Sequence, residues 1–290
     1  MKPVGPPSLA QAPLPEPAAL TRLRECFYAE AGVRLGDGKA EFVRWRLSAR
    51  LRALGLESFM DYAARVTVDA AERKKMVEAL LVHETRFFRE PAQFTWLERE
   101  LFPHWRHDST RRRSRHVRAW SAACSTGQEP YSLAMLLLAH LPAEEGWSVE
   151  VLGTDLSGDA LARAEAAMWP MEKASEIPTA YLHRFMLRGT GPAEGWIRAG
   201  PQLRSAVRFQ PLNLLRVEDK VPGIFDLVMC RNVLIYFDAA SSARALRGLV
   251  RCLAPDGLLL LGHAEGLHGM RGMRAVHSSI YTRASGTASP

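Results

Sequence analysis

The chain has 290 residues, of which 47% are hydrophobic and 24% charged, an ordinary soluble globular balance with room for one large domain or two modest ones. Its longest apolar run, Leu133–Ala139, falls far short of the roughly 20 residues that a membrane helix requires, so direct membrane insertion is not expected. The Pro-rich N-terminus has neither the basic nor the apolar segment of a signal peptide. Cys26, Cys124, Cys230 and Cys252 are too scattered for a disulfide framework or a metal site, so a metal-free protein of the reducing cytoplasm is expected. The net charge of +7 is uneven: residues 1–115 carry 21 Lys/Arg against 15 Asp/Glu, and the remainder 17 against 16. An acidic partner for the front of the molecule fits this excess. So does a solvated Arg-rich surface, and nucleic acid competes until other features are weighed.

Residues 1–18 read as a disordered tail, because prolines remove backbone donors and little can be buried. A helical pattern occupies 19–106. Within it Val43, Leu47, Leu51 and Leu54 place one apolar stripe on a helix from Lys39 to Leu54 that Gly55 ends, and a second helix spans Ala70–Val82. Arg46 and Arg50 stand one turn apart on the first helix, with Arg44 and Arg52 further round. Residues 107–115 are polar, basic and aperiodic, which predicts a linker.

From 116 to 285 strands alternate with helices. Strands are predicted at Val117–Cys124, Val149–Thr154, Val207–Gln210, Phe225–Cys230 and Leu258–Leu261, and helices at Glu129–His140, after a Ser157 cap, and at Ala240–Leu253. The alternation implies an α/β domain with a doubly wound, mostly parallel sheet. Residues 184–208, rich in glycine, read as a small antiparallel β-hairpin excursion, and 286–290 as a tail.

Ligands of such sheets bind at the carboxyl ends of strands, near the switch point. Here the first strand runs into Ser125-Thr-Gly127, and Asp155 closes the second. Small turn residues admit a ligand to the backbone, and an acid in that place can hold ribose hydroxyls. This logic suits NAD, FAD and S-adenosylmethionine alike. The missing G-x-G-x-x-G tilts the choice toward a ligand without phosphates.

Trp120-Ser-Ala-Ala-Cys-Ser-Thr-Gly-Gln-Glu-Pro-Tyr131 resembles the first motif of the chemotaxis-receptor methyltransferases, the CheR family. Further segments match in order: His83–Glu90, Phe185–Gly195, Leu212–Leu215, Cys230–Asp238, Leu253–Gly257 and Gly262–Glu265. The resemblance runs from about Leu20 to Tyr281. It implies an S-adenosylmethionine methyltransferase-like sheet behind an all-helical domain. The implied activity is methylation of glutamate side chains on chemoreceptors, with S-adenosylhomocysteine as product.

The resemblance also implies roles. His83 (where many members have Asn), Thr85 and Arg89 contact the cofactor; Glu129 lies near its methionine amino group and Asp155 at the ribose. Asn213 and Leu214 flank the adenine, Arg231 and Asn232 begin the segment lining the transfer site, and Arg89 with Tyr236 faces the reacting atoms. Each has a purely structural alternative. Thr85 or Asp155 could cap a helix, Arg89 could pair on the surface, Glu129 could answer its own helix dipole, and Tyr236 could be core.

A glutamate acceptor, with a reference pKa of about 4.3, is ionised at neutral pH and needs no general base. The enzyme's task is alignment and exclusion of water. Arg46 and Arg50 are the first expected docking residues for cytoplasmic receptor helices rich in Glu. The excursion containing Gly189 and Gly191 is expected to take a receptor C-terminal peptide by strand addition. Nucleic acid is not expected, and the chain is expected to be a monomer.

Overall fold

A computed structural model describes residues 14–108, 114–219, 223–267 and 269–284. Most of the predicted N-terminal tail, the basic run 111–113 and the tail 286–290 lie outside the described residues. The chain forms two compact units, one reaching to Val82 and including Tyr236–Asp238, the other comprising His83–Ile235 and the chain from Ala239 onward. The division therefore falls well ahead of residue 106, and the segment 83–107 belongs with the α/β unit.

The first unit is helical: α1 (Pro17–Ala31), α2 (Ala40–Leu54), α3 (Phe59–Val68) and α4 (Ala70–Leu80). Local chemistry sets its boundaries. Gly55 ends α2 at φ 65°, the Ser58 side chain accepts the Asp61 amide, and Asp69 accepts those of Ala71 and Glu72. The predicted second helix stops at Leu80, because Leu81 is already extended. Val43, Leu47 and Leu51 are buried as their spacing requires, together with Leu23, Phe27, Phe59, Tyr62, Val66 and Met76. Tyr236–Asp238 joins this unit through a bridge between Val33 and Phe237, and through Tyr28 and Arg34, which donate to Asp238 Oδ2 at 2.6 and 3.0 Å.

The second unit opens with the loop 83–90. It continues through α5 (Pro91–Trp96), a π-helical turn at Leu97–Leu101 and α6 (Phe102–His107). Then come β1 (His116–Ala122), α7 (Gln128–His140), β2 (Ser148–Asp155), α8 (Gly158–Ala166), β3 (Met168–Pro170), α9 (Thr179–Phe185), β4 (Met186–Arg188), β5 (Trp196–Ala199), α10 (Pro201–Ala206), β6 (Val207–Pro211), β7 (Phe225–Cys230), α11 (Ala239–Arg251), β8 (Leu253–Leu261), β9 (Met273–His277) and β10 (Ile280–Arg283). The main sheet has the order β6-β2-β1-β7-β8-β10-β9, parallel as far as β8 and antiparallel beyond it. Its direction of winding reverses between β1 and β7, the crevice in which such sheets bind ligands. Both strands are buried on both faces, with Ala119, Trp120, Leu227 and Met229 fully enclosed, as a sheet covered by helices requires.

Three sequence expectations are corrected. The small sheet is β3-β5-β4, so the hairpin β4–β5 within 184–208 recruits a third strand from 168–170, while 201–208 returns to α10 and the main sheet. The last parallel strand starts at Leu253 and not at Leu258, since Leu253 pairs with Phe225 across a register shift. The helix before it ends at Arg251.

Candidate functional site

The site grows from the end of β1. Cys124 N–H donates to Thr154 O at 2.8 Å, and the chain then turns through Ala123, Ser125 and Gly127, all with positive φ (60°, 51° and 94°). Only glycine suits the last position. A Cβ there would stand 2.9 Å from Ala164 Cβ on α8, so the turn is pressed against its neighbouring helix. Asp155, at the end of β2, accepts the Ser125 amide at 2.8 Å and the Ser157 amide at 2.9 Å, one on each oxygen. This carboxylate thus fixes the turn and caps its own loop. Each oxygen keeps a lone pair for a hydroxyl.

Glu129, in the first turn of α7, accepts Ser121 Oγ–H at 2.7 Å and Arg231 Nε–H at 2.8 Å. The Arg231 side chain, 1% exposed, follows β7 and spans the crevice. Its Nη1 donates to the Arg89 carbonyl at 2.7 Å and to Gln93 Oε1 at 3.2 Å, and Gln93 in turn donates to Leu261 O at 2.7 Å. One buried guanidinium therefore joins α7, α5 and the loop 83–90, and through Glu129 and Gln93 it is linked to Ser121 of β1 and Leu261 of β8. That loop is also held by Ser132 Oγ, which accepts the Phe88 amide at 3.0 Å, and by Glu176, which accepts that of Phe87 at 2.9 Å.

Backbone strain gathers here. Phe88, Glu90 and Asn232 have φ of 48°, 59° and 60°, beside Ala123 and Ser125. Asn232 Nδ2 donates to Glu90 Oε1 at 3.1 Å. Among the described residues, two buried oxygens have no hydrogen-bond partner, Ser125 Oγ in the turn and Glu90 Oε2, which lies 3.6 Å from Arg231. Thr85 and Arg89, with Glu84, Arg86, Lys173 and Glu176, line a polar cleft of about 450 Å³. At the end of β6 Asn213 accepts the Leu215 amide at 2.9 Å, and Leu214 is buried. His83 is half-buried at the start of the loop.

The second unit therefore contains Thr85, Arg89, Glu129, Asp155, Asn213, Leu214, Arg231 and Asn232, at the carboxyl ends of its strands or in the loop bound to them. Tyr236 belongs to the first unit. It is 44% exposed, and with Val33, Leu35, Phe42 and Leu80 it lines an apolar cavity of about 140 Å³.

Sequence reasoning named neither Glu90, Gln93 nor Ser125 as a site residue. Glu90 lies beside Arg89 in the motif His83–Glu90 and Ser125 in the turn expected to admit the ligand, whereas Gln93 carries no such signal. Burial raises the Cys124 thiol well above the ordinary range, reinforced by Asp155 and Glu129, and burial with Glu265 and Glu129 does the same to Cys230. Neither thiol is a thiolate nucleophile at neutral pH.

The docking expectations need revision. Arg50 faces inward: its Nε and Nη2 donate to Glu72 Oε1 and Oε2 at 2.8 and 2.7 Å, and the Tyr62 hydroxyl donates to the same carboxylate at 3.1 Å. Glu72 is 3% exposed, so the pair belongs to the fold of this unit. Arg46 donates to Leu81 O at 2.7 Å and lies over the Phe42 and Trp45 rings. Arg44 pairs with Glu41 at the surface, and Arg52 is exposed. Gly189 answers a steric demand, since a Cβ there would meet Ala193 O at 1.9 Å.

The turn, the acids and the unpartnered Ser125 Oγ fit a nucleoside joined to a cationic amino acid. Glu90, Glu129 and Asp155 outnumber the buried guanidinium of Arg231, and the surplus negative charge suits a sulfonium and an ammonium. Among the described residues no group of three His, Cys, Asp or Glu side chains is placed to hold a metal ion. No described helix is long and apolar enough to cross a membrane.

Comparison with known proteins agrees with this chemistry. Residues 18–81 match the family described as CheR methyltransferase, all-alpha domain, and residues 83–281 that described as CheR methyltransferase, SAM binding domain. The chain is 37% identical over 267 residues to chemotaxis protein methyltransferase 2 of Pseudomonas aeruginosa, covering 91% of this chain and 92% of that one. It is 39% identical over 251 residues to the chemotaxis protein methyltransferase of Escherichia coli, covering 86% and 84%. With the Klebsiella aerogenes protein of that name the identity is 40% over 250 residues, covering 86% and 83%.

Proposed function

From the premise that the chain belongs to the CheR methyltransferase family, and is therefore an S-adenosylmethionine-dependent methyltransferase, we propose that it esterifies glutamate side chains on the cytoplasmic helices of chemoreceptors. One observation carries the proposal furthest: the acids of the crevice outnumber its buried guanidinium, while the lining of the polar cleft leaves one cation in excess, Arg86, Arg89 and Lys173 against Glu84 and Glu176. A cationic methyl donor suits the first environment and an anionic acceptor the second.

S-adenosylmethionine, when bound, supplies a methyl group activated by its sulfonium. The chain's own residues do the rest. Asp155 and Ser125 offer acceptors to the ribose and the neighbouring polar atoms, Glu129 offers one to the ammonium, and Asn213 and Leu214 flank the base. Arg89 aligns the acceptor carboxylate through its donor fork, and the loop 83–90 keeps water from it. No proton need be removed, because the acceptor is already ionised. This accords with a site whose buried thiols are held protonated.

Docking on α2 is assigned to Arg44, Arg46 and Arg52, since Arg50 is committed to Glu72. A receptor C-terminal peptide would add to β4, one of the two edges of the small sheet, where Leu187 is 53% exposed. The protein works as a monomer in the cytoplasm. The test is incubation with methyl-labelled S-adenosylmethionine, receptor cytoplasmic fragments and, separately, RNA. Label on the fragments alone supports the reading. Label on RNA, or cofactor binding with no transfer, overturns it.

A further inference from the structure

Glu265 lies in the segment after β8 and is 7% exposed, a buried acid with no cation paired to it among the described residues. Its carboxylate is taken up by backbone. Oε1 accepts the amides of Val233, Leu234 and Ile235 at 2.8, 2.7 and 3.3 Å, and Oε2 accepts those of Asn232 and Gly262 at 2.9 and 2.7 Å. Five N–H groups converge on one side chain. Four of them are consecutive and belong to the turn that leaves β7, which starts with Asn232 in the left-handed region.

An isolated turn of this kind would leave those donors to water, and Asn232 would relax out of its strained conformation. A charged acceptor repays both costs, since hydrogen bonds to a carboxylate are roughly twice as strong as neutral ones. The packing leaves no slack: a Cβ on Gly262 would stand 2.7 Å from Glu265 Oε2 and 2.9 Å from the Asn232 amide. Glu90 completes the hold, accepting Asn232 Nδ2 and the His263 amide at 3.1 and 3.3 Å.

We infer that Glu265 is a positioning residue for methyl transfer, fixing the segment 232–235 through its backbone amides so that Asn232 is presented in its left-handed conformation at the carboxyl end of β7. The inference deepens the reading of this site as a methyltransferase and rests on it. The side chain touches neither donor nor acceptor and acts through Asn232 and its neighbours. Glutamine is the informative replacement. It keeps the size but turns one acceptor into a donor facing amides that already donate.

The test uses the full chain and two readouts. In Glu265→Gln the amides of 232–235 should exchange with solvent at least about tenfold faster, while those of β7 keep their protection. The turnover number should fall by about 100-fold, as expected for a reacting geometry displaced by about 1 Å, with KM for S-adenosylmethionine within about threefold of the parent. Turnover within about twofold of the parent overturns the inference. So does loss of protection throughout β7, which would make Glu265 a plain structural support. A parent protein that transfers no methyl group refutes the functional reading instead, and the exchange measurement still decides whether Glu265 holds the turn.

Discussion

Arg231 Nη1 donates a 2.7 Å hydrogen bond to the main-chain carbonyl of Arg89, 142 residues earlier in the chain. The residue expected to grip the acceptor is thus set in place by a guanidinium that also binds Glu129. Both partners lose their counterpart if Arg231 is truncated. Arg231→Met should destabilise the protein by about 3 kcal/mol, the range for removing one member of a buried ion pair. Urea unfolding checks this; a loss below about 1 kcal/mol would show that the guanidinium is dispensable to the fold.

Arg89 itself contributes little to the fold, since among the described residues its side chain donates only to Glu84 O, at 3.1 Å. Arg89→Ala should therefore lower kcat/KM by about 100-fold, the effect of misplacing the acceptor by about 1 Å, with the unfolding midpoint nearly unchanged. Arg89→Lys should recover only part of the activity, because an ammonium lacks the planar fork. Steady-state kinetics on receptor fragments separates the three proteins.

The helical unit should weaken in acid through Glu72. The two hydrogen bonds from Arg50 hold its carboxyl below the usual glutamate range, with Tyr62 adding to the effect. A depressed folded-state pKa gives stability that is fully present above the unfolded value of about 4.3 and is lost as pH falls through the folded one. Glu72→Gln should be less stable than the parent at pH 7, and the gap should close as the pH drops below about 4. Denaturation at both pH values measures it; a gap independent of pH would contradict the assignment. Arg50→Ala should likewise act on stability, whereas Arg44→Ala with Arg52→Ala should weaken receptor binding in a salt-dependent way without touching the unfolding midpoint.

Gly127→Ala should damage the cofactor turn. The position has φ 94°, and the added methyl would lie 2.9 Å from Ala164 Cβ and 3.1 Å from Ala164 Cα. The strain is on the order of 1–3 kcal/mol, and S-adenosylhomocysteine binding by calorimetry should weaken accordingly. Unchanged affinity would mean that the turn does not contact the ligand.

What could be read in advance follows from the range of the interactions. Gly55, Ser157 and the stripe Val43–Leu47–Leu51 act within a turn or two, so spacing alone revealed them. The α/β alternation was equally plain, and the ordered motifs named Thr85, Glu129, Asp155 and Asn232 as candidates. The strand Met168–Pro170 is too short for any periodicity. The inward turn of Arg50 depends on Glu72, 22 residues away and on another helix. Glu265 was visible only as the last letter of a motif, because its partners are backbone amides, which carry no side-chain signature.

The most direct test of the account is the chemical nature of the bond formed. After transfer of labelled methyl to receptor fragments, mild base should release the label as methanol, and mass spectrometry should place it on glutamate side chains. A label that survives base, or that maps to a lysine, arginine or nucleotide, would contradict the assignment of this site to a carboxylate acceptor.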